Sequence, residues 1–240
     1  MIVLLTDFGS SEYVGVMKGV ILGTHAAQIV DLCHDIRPQC VLEASWVLKN
    51  SYRHFPRGAT FCCVVDPGVG SARGAIAVRT EDFRFIAPDN GLLWETVKKQ
   101  TLVETRRLAV PEGASRTFHG RDVFAGAAAV ADMDRFEQLG QPIDRIEELE
   151  FYRNGRQGVV VRIDRFGNVI TNLPPLSKSG YEVQIAGRES QMGFHETYES
   201  APENELFLIT GSSDTLEISL KNGNANERLR TEPGRIVTIL

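Results

Sequence analysis

Five short polar clusters hold the side chains that could do chemistry, and each stands next to an apolar run: TDFG at 6–9, VVDPGVGSAR at 64–73, APDNGLL at 87–93, TFHGRD at 117–122 and IDRFGNVITNL at 163–173. Asp7 is a carboxylate at a strand end, able to accept two hydrogen bonds from a vicinal diol such as that of a ribose. Taken alone, though, it reads better as a turn or as the cap of the helix that follows. Asp66-Pro67-Gly68 is by itself a strand-ending turn. Gly68 and Gly70 lack the spacing of a dinucleotide fingerprint or a phosphate loop, and no Lys-Ser or Lys-Thr pair follows them. Asp89 beside the Asn90-Gly91 turn is a candidate cap for the next helix. His119 stands just ahead of a helix start with Asp122 in its first turn, a place where histidine is more often structural than catalytic. Phe166, Gly167 and Asn168 read as an ordinary hairpin turn.

The elements that would position these clusters follow from periodicity. Residues 2–6, 29–33, 60–65, 75–80 and 83–87 read as strands, and 12–26, 41–55 and 121–131 as helices, with Val16, Val20 and Leu22 among the inward candidates of the first. Beyond the acidic stretch of Asp144, Glu147, Glu148 and Glu150 the texture changes to short, evenly spaced strands at 158–163, 169–171, 182–185, 206–209, 216–220 and 235–240. The expected architecture is an α/β domain over 1–150, with a mixed or parallel sheet flanked by helices, followed by an all-β, barrel-like domain over 151–240. In an open α/β sheet ligands gather at the carboxyl ends of strands, which is where the first three clusters fall.

The composition narrows the function further. With 240 residues, 42% of them hydrophobic, the chain can bury a sizeable core. A net charge of −5 gives no electrostatic reason to expect nucleic acid. Asp7 interrupts the opening apolar run too early for a signal peptide or a membrane span, so a cytoplasmic protein with no membrane partner is expected. The 4 cysteines, Cys33, Cys40, Cys62 and Cys63, have no metal-ligand spacing with a histidine and read as structural thiols. Neither a metal nor a cofactor is expected.

Each cluster alone is ambiguous, but VDPGVGSAR, PDNGLL and FHGRD in that order, with the opening TDFG and the later IDRFGN and LEISLKNGNANERL, resemble the S-adenosylmethionine hydroxide adenosyltransferases, relatives of the S-adenosylmethionine-dependent fluorinase and chlorinase. The resemblance spans nearly the whole chain. It implies hydrolysis of S-adenosylmethionine to adenosine and methionine by a homotrimer, with substrate held between the amino-terminal domain of one subunit and the carboxy-terminal domain of the next. It also implies roles: Asp66, Arg73 and His119 match the trio that marks the hydrolytic members and positions a water. Asp7 matches the residue that binds the ribose hydroxyls. Asp164, Phe166 and Asn168 match residues that hold the methionine amine and the adenine, and Ser213 falls where the methionine carboxylate is contacted. Two places depart from the pattern: Gly211 and Asp214 replace the Asn and Gly of Asn-Ser-Ser-Gly, and Gln39 lies where the fluorinase has an aromatic residue. The rival readings are a halogenase acting on the same substrate and a non-catalytic adenosine-binding module.

Overall fold

Ile2–Thr6 forms β1, five residues buried on both faces, which β2 (Ile29–Cys33) and β3 (Thr60–Val64) flank in parallel. The computed structural model describes residues 1–240, which divide into two compact units, Met1–Glu150 and Phe151–Leu240. In the first unit β4 (Ala75–Thr80), β5 (Arg84–Pro88), β6 (Leu102–Arg107) and β7 (Gln141–Pro142) complete a seven-stranded sheet in the order β2-β1-β3-β5-β4-β6-β7. β5 continues the parallel set, whereas the pairings β5–β4, β4–β6 and β6–β7 are antiparallel, so the sheet is mixed.

Both faces of this sheet are covered, which is why its strands are near-continuous apolar runs and not alternating ones. Ile2 and Leu4 pack with α1 (Glu12–Thr24) and α4 (Gly126–Asp132) on one side. Val3 and Leu5 pack with α2 (Val41–Ser51) and α3 (Trp94–Val97) on the other. After β1 the chain turns to β2 and after β3 it turns the opposite way, so the carboxyl ends of β1 and β3 bound the crevice at the point where strand order reverses.

Three local expectations are corrected. α1 buries Val14, Met17 and Ile21, a stripe at i, i+3 and i+7, while Val16 and Leu22 face solvent and Val20 is only partly buried. Apolar residues occupy more than one face of this helix, so composition did not select the buried side. Asp89 caps no helix: its carboxylate instead accepts from the Glu147 backbone N–H at 2.8 Å and lies near Arg107. Asp7 is not a cap either, since Ser11 holds that position at α1.

The second unit is a seven-stranded antiparallel sheet of β8 (Gln157–Ile163), β9 (Val169–Thr171), β10 (Gly180–Ile185), β11 (Arg188–Gly193), β12 (Leu206–Thr210), β13 (Leu216–Leu220) and β14 (Ile236–Ile239), with one short helix, α5 (Ala225–Leu229). Its order is β11-β10-β14-β8-β9-β13-β12. The two outer strands come together where His195 N–H donates to Leu208 O at 2.9 Å, so the sheet is a nearly closed barrel. Tyr181, Val183, Leu208, Leu216 and Ile218 fill its interior. The fold is thus the α/β plus barrel-like combination expected from the sequence.

Candidate active site

The loop after β3 carries Asp66, and Arg73 seven residues on folds back over it. Arg73 Nε donates to Asp66 Oδ1 at 3.0 Å and Nη2 donates to Oδ2, a two-pronged pair with both side chains buried. Nη1 donates to Gly74 O at 2.8 Å, and Nη2 lies 3.1 Å from His119 Nδ1. A guanidinium has no acceptor, so Nδ1 must be the accepting nitrogen. The proton of His119 is thereby assigned to Nε2 and the ring is neutral.

Two features of the chain make this meeting possible. Gly70 has φ +75, and a Cβ there would stand 2.2 Å from Arg116 O, so only glycine lets the 66–73 loop approach the segment that leads to His119. From Gly120–Ala125 the chain makes one wide π-type turn before α4 begins. Residues five apart lie near one another in such a turn, and Phe124 accordingly presents its ring to the Arg73 guanidinium at 5.5 Å while His119 reaches the same cation.

Asp7, at the end of β1, accepts from the Gln39 backbone N–H at 2.7 Å, for which Gln39 adopts a left-handed φ of 66. Asp7, Asp66 and His119 line one cavity of about 320 Å³, walled by the edge-to-face cluster of Phe8, Tyr13 and Phe118. Arg73 is not part of the wall; it stands behind Asp66 and His119. Burial raises the Asp66 carboxyl above the usual aspartate range, although the Arg73 guanidinium pulls it down. Burial likewise raises Asp7, against the pull of the Gln39 and Asp7 N–H groups.

The second unit holds a larger cavity of about 1130 Å³. Asp164 closes the β8–β9 turn, accepting at 2.9 Å from the N–H groups of Phe166 and Asn168 and from the Asn168 side chain. Gly167, with φ +84, rests against Asn224 at the start of α5, leaving Phe166 74% exposed at the cavity rim. Asp164, Phe166 and Asn168 all line this cavity. Ser212 lines it and Ser213 does not. Asp214 takes φ +58 in the turn between β12 and β13, a left-handed conformation that aspartate tolerates better than most side chains and glycine best of all.

Two residues here escaped the sequence reading. Tyr198 OH stands 3.3 Å from Asn168 Nδ2 and 3.4 Å from Glu217 Oε2. Glu217 is buried and its carboxyl is raised, first by burial and then by the charge of Asp164. A Cβ at residue 211 would meet Glu217 Oε1 at 1.7 Å, so Gly211 makes room for that acid. Only its burial distinguishes Glu217 from any outward-facing acid of an alternating strand. No group of three His, Cys, Asp or Glu side chains is arranged to hold a metal ion.

Comparison with known proteins covers nearly the whole chain. Residues 2–140 match the S-adenosylmethionine hydroxide adenosyltransferase N-terminal domain, and residues 158–238 match the corresponding C-terminal domain. The chain is 35% identical to an (R)-S-adenosyl-L-methionine hydrolase of Thermus thermophilus, over 98% of each chain. It is 26% identical to a fluorinase of Nocardia brasiliensis over 72% of this chain and 71% of that one. A crystal structure of an uncharacterized conserved protein from Thermotoga maritima superposes with a TM-score of 0.91 at 33% identity, covering 100% of both chains. The chain belongs to the S-adenosylmethionine hydroxide adenosyltransferase family.

Proposed function

We propose that the protein hydrolyses S-adenosyl-L-methionine to adenosine and L-methionine by in-line attack of water on the ribose 5′-carbon. The observation that carries this reading is the Asp66–Arg73–His119 cluster at the cavity that Asp7 also lines. The sulfonium of the substrate leaves as a neutral thioether, so the reaction asks for no metal, no cofactor and no acid for the leaving group. The demand falls on the nucleophile. Moving a proton fully from water, pKa about 15.7, to an ordinary aspartate near 3.9 costs on the order of 16 kcal/mol. Transfer must therefore be concerted with attack, and the raised Asp66 narrows the gap.

With Nδ1 of His119 accepting from Arg73, the ring offers the cavity no lone pair, only its Nε2–H. Asp66 is then the proton acceptor of the trio, His119 a donor that orients the water, and Arg73 the cation that keeps Asp66 in place from behind. Fixing water on the line opposite sulfur supplies much of the rate through orientation and gives inversion at carbon. Asp7 takes the ribose diol. Asp164, Phe166 and Asn168, which line the larger cavity, and Ser213, next to the lining Ser212, take the adenine and methionine ends, contributed by the carboxy-terminal domain of the neighbouring subunit of the trimer.

Asp66→Ala tests the reading: it removes most turnover and leaves the substrate dissociation constant within a few fold, whereas normal turnover in that variant rejects the role. Chromatography of products made in the presence of chloride or fluoride should show adenosine and no 5′-halo-adenosine. Adenosine bound with no methionine released favours the non-catalytic module. Family membership further supports a cytoplasmic homotrimer, for which light scattering should give three times the mass of one chain. No helix is long and apolar enough to cross a membrane.

A further inference from the structure

His34 lies outside the trio and outside the cavity wall, yet it touches the Asp7 loop twice. Its backbone O accepts from Gly9 N–H at 2.8 Å, and its Nδ1 lies 2.8 Å from Thr6 Oγ1. Thr6 is fully buried, and its hydroxyl oxygen accepts from Phe8 N–H at 3.2 Å. The contacts therefore fall on Thr6 and Gly9, on either side of Asp7, and through Thr6 on Phe8. On the far side of the ring, Nε2 is 3.1 Å from Asp31 Oδ1, close but off the N–H direction. The other oxygen of Asp31 accepts from Lys18 Nζ of α1 at 2.6 Å.

The groups form a continuous run: Phe8 N–H donates to the Thr6 oxygen, the Thr6 hydroxyl and His34 Nδ1 lie within hydrogen-bond distance, and Nε2 is turned toward Asp31. A strand irregularity sets it up. β1 and β2 pair Leu4 with Asp31 and then Leu5 with Cys33, so Leu32 is an extra residue in β2. Without it, Cys33 would fall beside Thr6. The bulge moves His34 into that place, the kind of re-aiming that bulges perform next to functional sites.

We propose that His34, acting through Thr6, is a positioning residue for ribose recognition: the pair fixes the 6–9 turn so that the Asp7 carboxylate presents both of its acceptors to the diol. This rests on the ribose reading of Asp7 given above. Gln39 N–H steadies the carboxylate itself, while Thr6 and His34 steady the backbone that carries it.

The test compares dissociation constants of adenosine and of 2′,3′-dideoxyadenosine, which lacks the diol, on the full-length protein. The preference of the unaltered protein for adenosine should shrink about five- to tenfold in Thr6→Val and in His34→Leu, the loss expected for one well-made hydrogen bond. Thr6→Ser and His34→Asn, which keep a hydroxyl and a nitrogen-position acceptor, should restore it. Affinity for the dideoxy compound should stay unchanged throughout, which a general disruption of the site would not allow. Should His34→Leu fail to fold, the smaller Thr6→Val change carries the same comparison. An unaltered preference in Thr6→Val, alongside loss of the preference in Asp7→Ala, overturns the positioning role alone. An unaltered preference in Asp7→Ala overturns the ribose reading itself.

Discussion

Arg73 donates to a carboxylate and to an imidazole at once, so one side chain fixes the orientation of two neighbours. Lysine would bring charge without the planar fork, and Arg73→Lys should lower kcat by roughly 10- to 100-fold with a small change in KM, measured by initial rates. Asp66 must be ionised to accept a proton, so its contribution is present above its pKa and lost as pH falls through it. Because burial raises that pKa, the acid limb of a kcat/KM profile should have its midpoint above the ordinary aspartate value and should vanish from the residual rate of Asp66→Asn. Asp7 acts in binding: two charge-assisted bonds to a diol are worth roughly 1.5–3 kcal/mol each, so Asp7→Ala should raise the substrate dissociation constant by at least tenfold. A dissociation constant that does not move would remove the ribose from Asp7.

The elements that bring these residues together depend on close approach. Gly70→Ala would place a Cβ 2.2 Å from Arg116 O at a φ of +75, and the strained backbone alone costs about 1–3 kcal/mol. That variant should melt at lower temperature and lose turnover more than affinity, because the loop must retreat and take Arg73 away from His119. Much of the element plan was legible in the sequence: β1, β2, β4, β9 and β13 begin and end where the apolar runs do. β6 and β11 were not legible. LVETRR is exposed or half-buried and RESQMG is mostly exposed, neither shows clean alternation, and they are strands because β4 and β10 offer them a ladder. The helix expected at 121–131 begins instead as a wide turn, which brings both His119 and Phe124 to Arg73. The contact between Arg73 and His119 was likewise hidden, since 46 residues of chain separate them and no spacing rule spans that distance.

On the scale of the whole molecule, each unit has its own buried core and its own sheet. Residues 151–240, expressed alone, should give a cooperative thermal transition followed by circular dichroism; a featureless melt would show that the barrel lacks independent stability. Cys62 and Cys63 lie wholly within the core of the first unit, with the Cys62 thiol pushed up to about 12 by burial. They should resist thiol reagents until that unit opens. The buried Asp66 belongs to a chain whose net charge is −5. A unit anion 4 Å from that carboxylate is repelled by about 4 kcal/mol at an effective dielectric constant of 20, before Arg73 offsets part of it. Such a field favours a guest with positive charge, and the sulfonium supplies one. Once sulfur becomes a thioether and the released proton escapes to solvent, neither the nucleoside nor the zwitterionic amino acid keeps that net charge, so the attraction that gathers the reactant does not hold back what is made from it.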